Sequence, residues 1–227
     1  MTIPTKPVLF VLTSHGEKGD TGQKTGFYLG EVTHPLAVLD AAGIKVDFAS
    51  ILGGEPPVDG LELDDTTNAR YWNDLAFRDA IRTTAKLSDT DPSHYAAIFF
   101  AGGHGAMWDL PTSPAVDSTT RAIFEAGGVV AAVCHGPAAL VNVKLSDGNY
   151  LVAGRNVSAF TDSEERAVGL DKTVPFLLAK TLTERGAIHH PAADWTSKVV
   201  VDGRLVTGQN PQSATAVGEK LRDLLVR

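Results

Sequence analysis

The stretch HYAAIFFAGG, His94 to Gly103, is apolar almost without interruption and stops at two glycines; VVAAV, Val129 to Val133, repeats the pattern further along. Neither run approaches the roughly 20 apolar residues of a membrane span, and neither alternates as a half-wet strand would. Continuous apolar runs of this length read as central parallel strands buried on both faces, which requires helices on both sides of the sheet. These two runs therefore fix the class as α/β.

The rest of the chain alternates accordingly. PVLFVLT (Pro7 to Thr13) reads as a buried strand and KVDFAS (Lys45 to Ser50) as one with Val46 and Phe48 on a common face. Between them HPLAVLDAAG sets Leu36, Leu39 and Ala42 at helical spacing and stops at Gly43. A loop from Gly53 to Asp65 leads into a polar helical segment from Ala69 to Leu87. Residues 53–93 as a whole read as a small insertion in one domain spanning 1–227. A helix is expected over Ser118 to Ala126, another from Pro137, a weak strand pair over Tyr150 to Val157, and a mixed segment to Ala187. KVVVDGRLVTG carries a hairpin signal, with Asp202-Gly203 at the turn. Asn210 is placed to cap a last helix from Pro211, whose inner stripe is Ala214, Val217, Leu221 and Leu224. The sum is a three-layer α/β/α sandwich around a mostly parallel, flavodoxin-like sheet.

Composition removes several function classes. The 27 acidic residues against 20 basic ones, net charge -7, lie spread along the 227 residues and disfavour a nucleic-acid partner. The first apolar run is too short for a secretory signal and is read as a strand. A single cysteine cannot form an intramolecular disulfide, which points to a reducing, cytoplasmic setting. GGHGAM lacks the third glycine of a dinucleotide loop and any P-loop lysine. The seven histidines form no zinc pattern. No cofactor and no metal are expected.

That single cysteine, Cys134, closes VVAAV and precedes His135, Gly136 and Pro137. In an open parallel sheet the reactive groups lie beyond the carboxyl ends of the strands, and AVCHG has the strand–turn–helix setting of a nucleophile elbow. A helix N-terminus there would favour the thiolate, lowering a thiol from about 8.5 toward roughly 3.5–7.5. The His135 N–H, with Gly102 and Gly103 on the neighbouring strand end, could form an oxyanion hole. Cysteine is also a common buried filler, and the local string leaves both readings open. His104 and Trp108, in the loop after the glycines, are candidate pocket residues; a turn histidine and a packing tryptophan are the alternatives.

AAVCHGPAAL and FFAGGHGAMWDLP, together with LTSHG, TGFYLGEVTHPL, AFTDSEE and DGRLVTGQNPQSA, resemble the ThiJ/PfpI superfamily of class I glutamine-amidotransferase-like proteins. Within it the chain is similar to the glutathione-independent glyoxalase III branch, whose members are also described as stress chaperones. The resemblance implies Cys134 as nucleophile, His135 as its partner and Glu31, in YLGEVTHP, as a carboxyl touching the thiol. It implies an acid after the FTD string as the third triad member; spacing favours Glu165, with Asp162 in reserve. A protonated Glu31 would donate to the sulphur, whereas an ionised one would oppose its charge. Glu164, Glu165 and Arg166 could equally be a solvated helix start.

What the resemblance implies is a lyase that converts methylglyoxal, a small reactive dicarbonyl, to lactate through a cysteine hemithioacetal. Protein deglycation, an amidase-type hydrolase, a holdase chaperone for unfolded clients and a cysteine oxidation sensor are the alternatives. A homodimer is implied on the same ground.

Overall fold

The computed structural model describes residues 4–226. Seven strands form one sheet: β1 (Val8–Leu12), β2 (Val46–Ser50), β3 (Ala85–Lys86), β4 (Ala97–Phe100), β5 (Val129–Val133), β6 (Val199–Asp202) and β7 (Leu205–Gly208). Their order is β6-β7-β5-β4-β1-β2-β3, parallel throughout except that β6 runs antiparallel to β7. The helices are α1 (Gly30–Ala41), α2 (Thr66–Trp72), α3 (Leu75–Arg82), α4 (Pro114–Glu125), α5 (Asp162–Ala167), α6 (Leu178–Glu184) and α7 (Ala214–Leu225), with a short turn of helix at Ala106–Asp109.

Every residue of β1, β4 and β5 is buried. Successive strand side chains point to opposite faces, so both faces are covered, as the apolar runs require. Phe10 and Phe99 pack across β1 and β4 with ring centroids 4.4 Å apart. No helix among the described residues is long and apolar enough to cross a membrane.

Several boundaries differ from the sequence reading. The segment expected to be helical over 69–87 is two helices, because Asp65 and Asp74 each accept two backbone N–H groups as N-caps; the chain then adds the two-residue edge strand β3. α4 begins at Pro114 rather than Ser118, since Ser113 caps it and proline suits the first helical position. In place of a strand pair over Tyr150 to Val157, Asn156–Val157 forms a two-residue strand paired with Ile188–His189, and Tyr150 makes a lone bridge to Lys144. The hairpin pairs Asp202 with Leu205, so the turn residues are Gly203-Arg204, and Gly203 takes the positive φ of 59°. Asn210 makes no cap: its side-chain amide donates to Glu164 and its Oδ1 accepts from Ser213, which leaves Pro211–Ser213 a 3-10 turn before α7.

α1 starts well before His34 and carries Pro35 inside it. Proline there has no N–H for the Glu31 carbonyl, a local cost to the helix. The helix persists because α1 packs closely on α7, where a Cβ at Gly218 would lie 2.7 Å from Pro35 Cα. Alanine in a helix interior is ordinarily better than glycine by about 1 kcal/mol. Here overpacking should reverse that sign: Gly218→Ala should lose about 1–3 kcal/mol in urea unfolding, rather than gain.

Candidate active site

β5 ends at Val133, and the chain turns sharply. Cys134 has φ 60°, the left-handed region where a non-glycine residue is uncommon. Two backbone bonds hold it there: Cys134 N–H donates to Gly208 O (3.0 Å) and Cys134 O accepts from Phe160 N–H (3.0 Å). Beyond His135 the chain forms a five-residue 3-10 segment, Gly136–Leu140, not the α-helix expected from Pro137. The anion-stabilising helix terminus inferred from sequence is therefore absent. Cys134 is 3% exposed at the floor of a cavity of about 570 Å³.

Around the sulphur the structure assembles groups from four distant stretches. His135 Nδ1 lies 3.4 Å from Cys134 Sγ, while its Nε2 meets Glu165 Oε2 at 2.8 Å. Glu165 Oε1 meets His104 Nε2, also at 2.8 Å, so one carboxylate holds two imidazoles whose centroids are 4.2 Å apart. Burial would raise Glu165, but hydrogen bonds from His104 and His135 outweigh it and bring its pKa down to about 2. His135 goes down to about 4, chiefly through burial and then through the neighbouring His104, against the pull of Glu165. A simple ion pair would instead raise the histidine. The pair is thus an ionised carboxylate accepting from a neutral imidazole, with Nε2 protonated and the Nδ1 lone pair turned to the thiol.

Glu31, in the first turn of α1, is fully buried. Its Oε2 accepts from the Gly102 N–H at 2.8 Å, and its carboxyl lies near enough to the Cys134 thiol for the two to perturb each other's protonation. Its Oε1 meets no partner of conventional hydrogen-bond geometry. Burial pushes its pKa up to about 8, so it is protonated at neutral pH. Burial also raises the thiol, as would an ionised Glu31, whereas the backbone N–H groups of His135 and Gly103 pull it down. A protonated Glu31 removes the repulsion and supplies a donor. The resting cysteine is a neutral thiol set between a carboxylic acid and an imidazole base, rather than the pre-formed thiolate expected from the elbow.

The glycines after β4 make this possible. A Cβ on Gly102 would stand 2.6 Å from Glu31 Oε2 and 2.7 Å from His135 N. Gly102 does not line the cavity, but Gly103 and His104 do. Trp108 does not: it stacks on His15 (5.1 Å, 7°), and the neighbouring Asp109 accepts from Thr13 and Ser14. Asp162 begins α5 and borders a separate surface depression, so Glu165 is the acid brought to His135. Glu164 and Glu165 are both buried, not a solvated helix start. Glu164 completes a capping box with Thr161, a T-x-x-E signature visible in the sequence. Trp195, which the sequence suggests as a packing residue, and Phe160 also line the cavity, and no local sequence signal marks either as doing so. His104, His135 and Glu165 have donor atoms within 4.8 Å of one another, close enough for a metal ion, although hydrogen bonds among themselves already engage these atoms.

A doubly covered parallel sheet with a strained cysteine at a strand end, backed by an imidazole–carboxylate pair, places the chain among α/β proteins that carry a cysteine on a strand-end turn. The chain belongs to the DJ-1/PfpI family, whose model matches residues 24–223. It is 34% identical to Glyoxalase 3 of Candida albicans over 93% of this chain and 95% of the relative. It is 32% identical to Glutathione-independent glyoxalase HSP31 of Saccharomyces cerevisiae, covering 97% and 98%. The structure is similar to that of Rapid Encystment Protein 24 KDa of Francisella tularensis, with TM-score 0.95 and 39% identity over 98% of this chain and all of that one.

Glu31 sets a pH dependence with a defined sign. Its folded pKa of about 8 lies above the ordinary 4.5, so folding binds a proton there and its contribution is lost as pH rises toward 8. His135, moved from 6.5 to about 4, acts oppositely but only below 6.5. Between pH 6.5 and 8, wild-type stability should fall in urea melts, while Glu31→Gln should show a flatter profile over that window.

Proposed function

We propose that the protein is a glutathione-independent glyoxalase, converting a 2-oxoaldehyde such as methylglyoxal and water to the 2-hydroxy acid, lactate in that case. The observation that carries this reading is the Cys134 thiol held between protonated Glu31 and the free Nδ1 of a neutral His135. Such a site can deliver a sulphur nucleophile and move protons without glutathione. Relatives at 30–34% identity over most of the chain carry the glyoxalase name, which supports the same conclusion.

In this mechanism the thiol proton passes to His135 Nδ1 as Sγ bonds to the aldehyde carbon, and His135 returns that proton to the former carbonyl oxygen to give a hemithioacetal and a neutral imidazole again. The His135 and Gly103 N–H groups, which point at the sulphur, lie beside the developing oxyanion. His135 then removes the hydrogen from that carbon, giving an enediol, and protonation of the adjacent carbon yields a 2-hydroxy thioester. Water cleaves the thioester, releasing the hydroxy acid and restoring the thiol. Electrons balance within the substrate, since one carbon is oxidised and its neighbour reduced. Glu165 fixes the His135 tautomer, and His104 anchors Glu165 from the other side.

Residues 53–93 fit the reading of an insertion that builds one wall of the cavity, contributing Asp59, Glu62, Asp65 and Asn68. The lone cysteine supports a cytoplasmic location; homodimerisation and client binding rest on family resemblance alone. Cys134→Ala should abolish lactate formation from methylglyoxal. Glu165→Gln, which retains shape but loses the charge that supports imidazolium, should lower kcat by about a hundredfold to ten-thousandfold. Lactate formation undiminished in Cys134→Ala would overturn the mechanism.

A further inference from the structure

Among the described residues only two non-glycines have positive φ, and both line the same cavity: Cys134 and Trp195, the latter at 61°. Such a backbone costs about 1–3 kcal/mol and persists only where its surroundings over-determine it. They do so here. Trp195 N–H donates to Glu164 Oε1 (2.9 Å), which also accepts from Asn210 Nδ2 (2.8 Å) and Gln209 Nε2 (3.1 Å). Asn210 Nδ2 reaches on to the carbonyl of Thr196 at 2.9 Å. A fully buried carboxylate thus pins the loop, yet the tryptophan it holds remains 42% exposed. Core packing does not account for an indole left half in water.

The ring has a defined position relative to the chemistry. Trp195 meets Phe160 edge to face, with centroids 5.9 Å apart, and Phe160 lies 4.3 Å from the His135 ring. Val168 and Leu170 join them in the cavity lining, and Val168 is itself 42% exposed. Three acids of the lining away from the sulphur are already engaged by their own chain. Asp59 accepts from Thr25 Oγ1, Glu62 from the Tyr28 hydroxyl, and Asp65 from the Thr67 and Asn68 amides. Phe160, Val168, Leu170 and Trp195 give the lining a set of apolar contacts beside these engaged acids. A cavity of about 570 Å³ lies in the range that holds drug-sized ligands, and methylglyoxal extends only one methyl group beyond its two carbonyls.

We propose that Trp195, with Phe160, Val168 and Leu170, is a subsite for the substituent on the ketone carbon of a 2-oxoaldehyde, and that it selects aryl oxoaldehydes over methylglyoxal. This rests on the glyoxalase reading and adds its specificity. Glu164 is the positioning residue, acting through the Trp195 backbone.

The test compares phenylglyoxal with methylglyoxal on the full chain. Wild type should show the higher kcat/KM for phenylglyoxal. Trp195→Ala and Trp195→Gly should lower the phenyl-to-methyl ratio by about tenfold or more, chiefly through KM for phenylglyoxal, and Trp195→Phe should restore most of it. Glycine relieves the backbone strain, so a lost preference in Trp195→Gly with an undiminished Tm separates a subsite from a structural role. A wild-type ratio at or below one, or a ratio unmoved in Trp195→Gly, would overturn the proposal. Calorimetry with 2-hydroxyacetophenone, which has no aldehyde to react, keeps the two readings apart. If wild type turns over neither aldehyde, the glyoxalase reading fails; binding of this probe weakened in Trp195→Gly then supports the subsite, and absent or unchanged binding rejects it.

Discussion

The hydrogen bond from the Gly102 amide to the buried Glu31 carboxyl ties the first turn of α1 to the end of β4. It sets where an acid can meet the Cys134 sulphur. Burial without an ionic partner keeps that carboxyl protonated near neutrality, so the thiol can lose its proton without facing a second anion. The glycine geometry at 102 follows from the same contact, since any side chain there would collide with the Glu31 oxygen.

On the other side of the sulphur the logic is inverted. Glu165 is ionised because two imidazoles donate to it, and His135 stays neutral because it is buried beside another histidine. Two glutamates flanking the same cysteine and histidine thus hold opposite protonation states. Desolvation dominates at Glu31, whereas hydrogen bonding overcomes it at Glu165. The adjacent Glu164 is turned to a third use, as acceptor for the loop bearing Trp195. One turn of α5 therefore links the His135–Glu165 pair to the cavity wall.

Much of this was legible in the chain. The uninterrupted apolar runs marked β4 and β5 because doubly covered strands have that pattern, and the glycine pair and lone cysteine marked the strand ends that border the cavity. The split between α2 and α3 was readable in principle from Asp65 and Asp74, but a capping aspartate in a polar segment looks like any surface acid. The place of Trp195 in the cavity was not legible, since a lone tryptophan reads as packing and its bond to Glu164 joins positions 31 residues apart. The raised thiol was not legible because it depends on burial and on the nearby Glu31 carboxyl, neither of which AVCHG displays.

The two margins of the sheet have a consequence for how copies of this chain meet. β3 is two residues long, both exposed, and ends on Lys86. At the other margin Asp202 of β6 is engaged by the backbone and side-chain amides of Asn156. Long, flat, unpaired strands template aggregation and swapping, and short charged ones resist it. One border is thus too short, and the other partly tethered, for a further strand to extend the sheet readily.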